Sequence, residues 1–439
     1  MAKKVTKEKA GSKRPIPKTA KYQTIFKPVI YLLVLIVAIL YAPFMKSLNF
    51  RSRQYTDYLA ESFDGPYAEN DILSKATKLF TDEVEGPESL APFEGKVYVG
   101  LQDGRILQIS DDKYTTFTTV GISNGTCPAW QEKRCGRPLG NRVTSKGDLY
   151  TIDAYHGVLK TSIKAPSPKP ELVMSSDLLI EGNSSKFLDD LVIDEGAGTS
   201  GGNVIYMTDA SSHFDLSEVV PTMLDQDDTG RVIQYDEVAK KATVIMKGLL
   251  FPNGIELTDD KTSILVCEIT NKRILRHYVK GPKAGTTEVL IDRLPGEPDN
   301  IRRSTRKDKE TYWVALAIAR TTQNPDLIDW GENKPFLRNF ALRTIYAVGN
   351  LVQFFGQLIQ SPDLTLKGWE IKTFKLFNLF TFRGMALEID VSGKIVSCLH
   401  SPDGSITLLS EVREVIEGNS RVLYLGSVYN KYIGKLVLS

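Results

Sequence analysis

The chain has 439 residues, of which 42% are hydrophobic and 25% charged, an ordinary globular composition. This length allows one large repeat domain or two to three smaller domains. The formal net charge is only +2, and the basic residues near the start are not interleaved with aromatic residues as in a surface that stacks nucleotides, so we expect no nucleic-acid partner.

The first part of the chain predicts a membrane anchor. Residues 1–27 contain nine Lys or Arg and one Glu, and residues 28–45 are uncharged and long enough to span a bilayer as a helix. Positive charge before the span predicts a cytoplasmic tail, a transmembrane signal anchor and a type II single-pass protein. Everything after the anchor would lie in the ER lumen or outside the cell, with residues 46–80 as a stalk. A cleaved signal peptide is the alternative, but no clear cleavage site follows.

Sequons and cysteines agree with that side of the membrane. Asn124 in Asn-Gly-Thr and Asn183 in Asn-Ser-Ser are glycosylation sequons. Cys127 and Cys135 are close neighbours in a predicted loop, and we expect a local disulfide between them in an oxidising compartment. The other two cysteines lie in apolar strand patterns and are interpreted as buried free thiols.

From residue 81 onward, a short apolar strand, a tight polar turn and a second strand recur six times. The copies open at Lys96, Asp148, Asn203, Ser263, Thr311 and Arg421. Each hairpin is too small to bury its own faces, and no regular helix separates the strands. The pattern predicts an all-β fold, a six-bladed β-propeller over residues 81–439, with a pair of β-sandwiches as the structural alternative.

An unusually long insertion follows the fifth repeat, at about residues 321–382. Apolar residues recur there at spacings of three and four, which predicts one or two amphipathic helices. The apolar face of such a helix has two interpretations. It packs on the propeller as a lid, or it contacts the membrane as an interfacial helix.

Polar signatures stand before several strands at comparable positions of the repeats. They contain Glu88, Asp189 with Asp190, Asn253, and Asp299 with Asn300. Hard oxygen ligands distributed in this way, one or two per repeat, are what a calcium ion needs. Asp and Asn before strands also commonly satisfy turn backbone groups, but several such motifs in order favour a common metal site.

The motifs resemble a known family over about residues 60–439. The matching segments are Gly86-Pro-Glu-Ser, Cys135-Gly-Arg-Pro-Leu-Gly, Asp153-Ala-Tyr, Thr208-Asp-Ala-Ser-Ser, Phe251-Pro-Asn-Gly, Pro295-Gly-Glu-Pro-Asp-Asn-Ile-Arg and Leu423-Tyr-Leu-Gly-Ser. In order and spacing they are similar to the strictosidine synthase-like branch of the calcium-dependent six-bladed propellers. The wider family includes paraoxonases and gluconolactonase-like hydrolases.

The resemblance implies a calcium ion at the bottom of the central tunnel. By motif, its ligands would be Glu88, Asp189, Asn253, Asp299 and Asn300, with Asp189 standing where the family usually has Asn. Asp190 could help to hold a second, structural calcium. At the position nearest to a histidine that paraoxonase-like enzymes use, this chain has Leu139.

Three functions follow from the resemblance. The first is a calcium-dependent hydrolase for small hydrophobic esters or lactones, similar to arylesterases, with Asp299 as the base that activates water. The second is a non-catalytic binding or adhesion propeller with a structural calcium and a protein partner. The third is the condensation performed by strictosidine synthase, for which Glu414 is the nearest match to the family's catalytic glutamate. The third is poorly supported because the alignment around residues 415–420 is loose.

Overall fold

A computed structural model describes residues 27–35, 37–38, 59–121, 127–325, 329, 331, 334–373, 375 and 383–438. In this described part, the chain forms six four-stranded antiparallel sheets and one helical insertion. Five of the sheets each consist of four strands that follow one another in the chain, and the sixth combines strands from both ends. The predicted all-β class is confirmed.

The first three sheets lie in the N-terminal half of the chain. The first contains β2 (Leu90–Phe93), β3 (Lys96–Gly100), β4 (Arg105–Ser110) and β5 (Lys113–Thr119). The second contains β6 (Pro138–Val143), β7 (Asp148–Asp153), β8 (Gly157–Ser162) and β9 (Glu171–Ser175). The third contains β10 (Leu188–Asp194), β11 (Val204–Asp209), β12 (Gly230–Asp236) and β13 (Lys241–Leu249).

The other three sheets complete the set. The fourth contains β14 (Pro252–Leu257), β15 (Ser263–Glu268), β16 (Arg273–Tyr278) and β17 (Thr287–Ile291). The fifth contains β18 (Gly296–Arg303), β19 (Thr311–Ala319), β20 (Gly384–Asp390) and β21 (Ile395–Ser401). The sixth contains β22 (Glu411–Glu417), β23 (Ser420–Gly426), β24 (Ile433–Leu438) and, at its outer edge, β1 (Thr77–Leu79).

The first strands of the sheets form a ring. Each of them contacts the first strand of the next sheet, and β22 contacts β2 to close the circle. The hydrophobic core lies between neighbouring sheets, where Ile152 of β7 shares a buried cluster with Ile205 of β11, and Leu265 of β15 with Val314 of β19. Sheets that bury both faces against neighbours in this way are consistent with the predicted six-bladed β-propeller.

Residues 59–80 differ from the predicted stalk. The Ala60 amide donates to the Leu294 carbonyl, Leu73 is fully buried in the core beside the sixth sheet, and β1 pairs with β24. The propeller therefore begins before the predicted boundary at residue 81. The sequence pattern did not indicate this because β1 is only three residues long and mostly exposed.

The predicted insertion at residues 321–382 lies between β19 and β20, inside the fifth sheet, and the predicted amphipathic helices are present. The first insertion helix is Pro335–Leu358, and the second insertion helix is Pro362–Lys372. Both begin with proline, whose missing N–H costs nothing in the first turn. Ser361 caps the second by accepting a hydrogen bond from the Leu364 amide at 3.3 Å.

In the described part of the propeller, two short α-helices lie between strands, at Glu132–Cys135 and Val219–Leu224. The second of these, hereafter the cover helix, contacts the first insertion helix through one buried cluster that joins Val220 to Leu342 and Tyr346. The insertion therefore packs on the propeller, as the lid interpretation expects.

The predicted anchor at residues 28–45 is described only in part. Residues 28–35 and 37–38 are helical and exposed, and the rest of the anchor, like the basic tail before Lys27, lies outside the described residues. Among the helices of the described ranges, none is both long and apolar enough to cross a membrane.

Replacement of Leu73 by alanine tests whether residues 59–80 belong to the propeller. Because Leu73 is fully buried, we expect Leu73→Ala to destabilise the protein by about 2–5 kcal/mol, measured as a lower midpoint of thermal unfolding of the full chain. Leu172→Ala, at a leucine that is 59% exposed on β9, is the matched control and should change the midpoint little. Equal midpoints for the two variants would mean that this segment is a detachable stalk.

Candidate functional site

Four β-bulges at equivalent positions shape the centre of the ring. The pairing register slips between residues 138 and 141 of β6, 188 and 191 of β10, 252 and 255 of β14, and 298 and 301 of β18. Each slip leaves two residues without a partner on the neighbouring strand, and such bulges redirect side chains. The unpaired residues are Leu139 and Gly140, Asp189 and Asp190, Asn253 and Gly254, and Asp299 and Asn300.

Two of the bulge positions are glycine because the inner strands approach each other closely there. A Cβ at Gly140 would lie 2.5 Å from Asp190 Oδ1. A Cβ at Gly254 would lie 2.6 Å from the Asn300 Cα. Neither position has room for a side chain. Asp190 and Asn300 on the neighbouring bulges therefore pack directly against the backbone of Gly140 and Gly254.

The amide groups of the site are oriented by the neighbouring carboxylates. Asn300 Nδ2 donates to Glu88 Oε1 at 2.6 Å, and Asn253 Nδ2 donates to Asp189 Oδ2 at 3.1 Å. Since each amide nitrogen is engaged, each amide oxygen is left to accept another partner. Glu88 itself precedes β2 and is held by its amide, which donates to the Gly100 carbonyl at 3.2 Å.

Four buried oxygen atoms in this cluster lack a hydrogen-bond partner within the described part of the chain. They are Glu88 Oε2, Asn253 Oδ1, Asp299 Oδ1 and Asn300 Oδ1. Buried polar atoms are normally satisfied, so four unpartnered acceptors in one place require a donor or a cation. All four are hard oxygens, the ligand type that calcium prefers. The residues present therefore fit a calcium ion.

The ionisation of the carboxyl groups indicates the same deficit of positive charge. Burial raises the pKa of Glu88 to about 8, and the Glu411 carboxylate adds to the increase. Burial also raises the pKa of Asp189 and of Asp299 well above their ordinary values, and Glu88 is the neighbouring charge that contributes most to both. The protein's own positive charge therefore does not offset the buried negative charge of these three groups, which a bound cation would do.

The candidate set is a mixture of acids and amides. Within the ranges that are described, no group of three or more His, Cys, Asp or Glu side chains could hold a metal ion by itself. The set defined by the unpartnered oxygens instead combines carboxylates with the amides of Asn253 and Asn300. Amide oxygens are ordinary calcium ligands but do not bind softer metals well.

A cavity of about 110 Å³ opens next to these oxygens. Carboxyl and amide groups of Glu88, Asp189, Asn253, Glu297 and Asp299 line it, whereas Asn300 does not line it and donates to Glu88. The rest of the wall is mainly apolar and includes Leu139, Phe187, Phe251, Ile269, Ala317, Ile318, Leu408, Val428 and the cover helix. The cavity suits a small ligand that is mostly apolar and carries one polar group.

A second layer of buried charge lies beside the unpartnered oxygens. Arg302 is fully buried, its Nη1 donates to Asp190 Oδ2 at 2.6 Å, and its Nη2 lies 2.6 Å from Glu411 Oε2. Burial alone would raise the pKa of Asp190, but Arg142 and Arg302 hold it below its ordinary value. Asp190 is thus engaged by two arginines, which leaves little reason for it to hold a second calcium.

Glu414 is not brought together with the other predicted site residues. It lies on β22 and accepts hydrogen bonds from Trp313 Nε1 at 2.7 Å and from Arg421 Nε at 2.5 Å. Although burial opposes ionisation, these donors and Thr305 lower the pKa of Glu414. It does not line the cavity. Its contacts are those of a structural ion pair.

The predictions for the cysteines are tested by the structure, whereas those for the glycosylation sites are not. The predicted disulfide between Cys127 and Cys135 is present, and Cys267 and Cys398 are free, the first buried and the second half-buried. Asn183 is exposed, and its use as a glycosylation site stays a prediction. Asn124 lies outside the described residues.

The sequence pattern did not single out Arg302, Arg142 or the cover helix. Arg302 follows Asn300 by two residues, at the end of the segment that carries Asp299 and Asn300. That spacing was the available signal. Nothing in the loop before β12 indicated that Val219–Leu224 would cover a cavity.

The chain is similar to solved structures at low sequence identity. A gluconolactonase from Xanthomonas campestris is 12% identical with a TM-score of 0.49, and the match covers 84% of this chain and 91% of that one. The calcium-binding protein regucalcin from Agrobacterium tumefaciens is 10% identical with a TM-score of 0.45, over 82% and 92% of the two chains.

Two family profiles match, one for strictosidine synthase over residues 191–282 and one for the N-terminal part of strictosidine synthase-like proteins over residues 65–109. Adipocyte plasma membrane-associated protein of Rattus norvegicus is 32% identical over 84% of this chain and 88% of that protein. Protein STRICTOSIDINE SYNTHASE-LIKE 10 of Arabidopsis thaliana is 34% identical over 83% of this chain and 88% of that protein. Because this identity extends over most of each chain, the protein belongs to the strictosidine synthase-like family.

Proposed function

We propose that the protein is a calcium-dependent hydrolase for small, mostly apolar esters or lactones. One observation carries this proposal: four unpartnered buried oxygens lie beside a cavity whose other walls are mainly apolar. The oxygens provide a place for a cation, and the cavity provides a place for the hydrophobic part of a substrate. Family membership supports a propeller with a tunnel site but does not select the reaction.

Glu88, Asn253, Asp299 and Asn300 would hold the calcium ion, with Asp189 orienting Asn253. A bound calcium ion would polarise a carbonyl oxygen and stabilise the negative charge that develops on it. Asp189 adds negative charge that an amide at the same position would lack, which favours retention of the ion.

The chain's own residues would perform the remaining tasks. Leu139, Phe187 and Phe251 would bind the acyl part of the ester, and the cover helix would limit access of bulk water. Asp299 also lines the cavity, so the carboxylate oxygen that does not hold the ion would accept a proton from the attacking water. The water oxygen bonds to the carbonyl carbon, the bond to the leaving oxygen breaks, and that oxygen takes up the proton.

We further propose that the propeller is held at a membrane by residues 28–45, with the propeller in the ER lumen or outside the cell. The disulfide between Cys127 and Cys135 supports an oxidising compartment. The relative from rat is named for its association with the adipocyte plasma membrane, which supports the same placement.

A ligand-binding propeller without catalysis is the second candidate. Among the described residues that line the cavity, none is a histidine, so the site has only carboxyl groups as bases. In that case the calcium ion would be structural and the apolar cavity would bind a ligand without changing it. A protein partner on a face of the propeller would also suit this candidate.

Calcium binding is the first expected outcome. The full chain in detergent should bind calcium by titration calorimetry, and a hundredfold excess over the dissociation constant should stabilise it by about 2.7 kcal/mol. The double variant Asp299→Ala, Asn300→Ala should lose both effects because two of the four unpartnered oxygens are removed. Asp292→Ala, at an exposed aspartate near the same sheet, is the control. Unchanged calcium binding in the double variant would contradict the site.

Ester hydrolysis is the second expected outcome. We expect turnover of phenyl acetate that disappears with a calcium chelator and returns with added calcium. Asp299→Asn keeps an oxygen ligand but removes the proton acceptor, so kcat should fall by about 10²–10⁴-fold while calcium still binds. Calcium binding without turnover in the unsubstituted protein would establish the binding propeller instead, and full turnover in Asp299→Asn would remove Asp299 from the mechanism.

The third expected outcome concerns pH. Without metal, Glu88 is protonated below its raised pKa of about 8, and it must lose that proton to bind calcium. Calcium affinity should therefore fall as the pH drops below about 8, and binding near pH 7 should release protons, seen as calorimetric heats that depend on the buffer. Glu88→Gln should bind calcium more weakly but with less dependence on pH. A pH-independent affinity in the unsubstituted protein would show that Glu88 is not a ligand.

A further inference from the structure

The first insertion helix (Pro335–Leu358) presents an apolar stripe to the outside. Its side chains lie at spacings of three, four and eleven along the helix and are exposed, with Leu351 at 56%, Phe355 at 48% and Leu358 at 64%. The members of this stripe are Leu337, Val348, Leu351, Phe355 and Leu358. Phe354 and Ile359 flank it on opposite sides. An exposed apolar surface of this extent usually marks a contact with a partner or a membrane.

The stripe has no charged residue near its C-terminal half. Between Arg343 and Asp363 the sequence contains no Asp, Glu, Lys or Arg. A helix face that water covers normally carries charged side chains. Within residues 334–375 as a whole, six Lys or Arg outnumber two Asp or Glu, so the insertion carries net positive charge. An exposed apolar helix face in a segment of net positive charge is typical of a helix that lies in a lipid interface.

The opposite face of the same helix is already fixed, so the stripe cannot turn inward. Leu342 and Tyr346 are buried against the cover helix. Gly349 and Gly356 lie so close to the second insertion helix that a Cβ at Gly356 would be 2.4 Å from the Thr365 amide nitrogen. The stripe therefore keeps its outward orientation in the folded protein.

The base of the insertion lies where the chain enters the ring after its apolar N-terminal segment. The Ala60 amide donates to the Leu294 carbonyl just before β18, and the Thr322 amide donates to the Ala60 carbonyl at the base of the insertion. Residues 46–58 alone connect the apolar segment 28–45 to this point. Even fully extended, this linker reaches on the order of 45 Å. A propeller tethered this closely would keep the base of the insertion near the bilayer.

We propose that the stripe of the first insertion helix docks onto the lipid bilayer that holds residues 28–45. The partner is the interfacial region of a membrane with anionic lipids, and the stripe inserts among the headgroups and upper acyl chains. The cover helix joins the insertion to the cavity wall, so the cavity would open close to the bilayer and receive apolar ligands from it. This inference rests on the proposed anchor and does not require that the site be catalytic.

The test uses the full chain reconstituted in vesicles of phosphatidylcholine and phosphatidylserine. A nitroxide is attached at Leu351→Cys, and its collision with oxygen, which concentrates in lipid, is compared with its collision with a water-soluble nickel chelate. Ile416→Cys is the matched control, because Ile416 is 55% exposed and lies towards the far end of β22, away from the site. The parent protein without an introduced cysteine corrects for labelling of the free thiols.

We expect the label at position 351 to meet oxygen more often than the nickel chelate, and the label at position 416 to show the opposite. Equal, water-like access at both positions would overturn the proposal. A label at 351 that meets neither reagent and shows spin–spin broadening would reveal contact between two copies and would also overturn it, as would failure of the full chain to remain with the vesicles. Phenyl acetate hydrolysis in detergent does not depend on docking, so failure of the proposed hydrolase is seen separately.

Discussion

The ion pairs of Arg302 hold the centre of this protein together. Its guanidinium bridges Asp190 on β10 and Glu411 on β22, and Glu411 in turn accepts a hydrogen bond from the Leu90 amide of β2. Three inner strands from different sheets thus share one buried positive charge. Loss of one partner from a buried ion pair typically costs about 3–5 kcal/mol, because the other charge remains without compensation. The ring therefore depends on a charge balance at its axis as well as on the packing between sheets.

This balance of charge explains why the neighbouring layer of carboxyl and amide groups is able to bind a cation. The arginines satisfy Asp190 but leave Glu88, Asp189 and Asp299 with raised pKa values and unpartnered oxygens nearby. Negative charge that the protein itself does not neutralise is available for a cation. The bulges position this charge, since each interrupts a strand pairing at the same height and faces its residues towards the axis. The ion pairs that stabilise the ring and the candidate calcium site thus lie in adjacent layers of one tunnel.

The sequence predicts the repeated parts better than the connections between them. Six hairpins follow from alternating strands, and the grouping of Glu88, Asn253, Asp299 and Asn300 follows from their common place before or within the first strand of each repeat. The contribution of residues 59–80 did not follow, because three mostly exposed residues carry almost no strand signal. The side-chain contacts of Glu414 did not follow either. It lies on the inner strand β22, but its side chain is held by Arg421 and does not line the cavity.

The closure of the sixth sheet also has a consequence for biosynthesis. β1 can pair only with β24, which lies at the other end of the chain, so no nascent polypeptide can complete the ring until its final strands have emerged. Until then, one face of the first sheet remains exposed and β1 has no partner strand, and unpaired strand edges invite aggregation. Contacts between distant parts of a chain also slow folding. Chaperones would therefore encounter this protein as an open arc, whose two ends meet only after the strands of the sixth sheet have been synthesised.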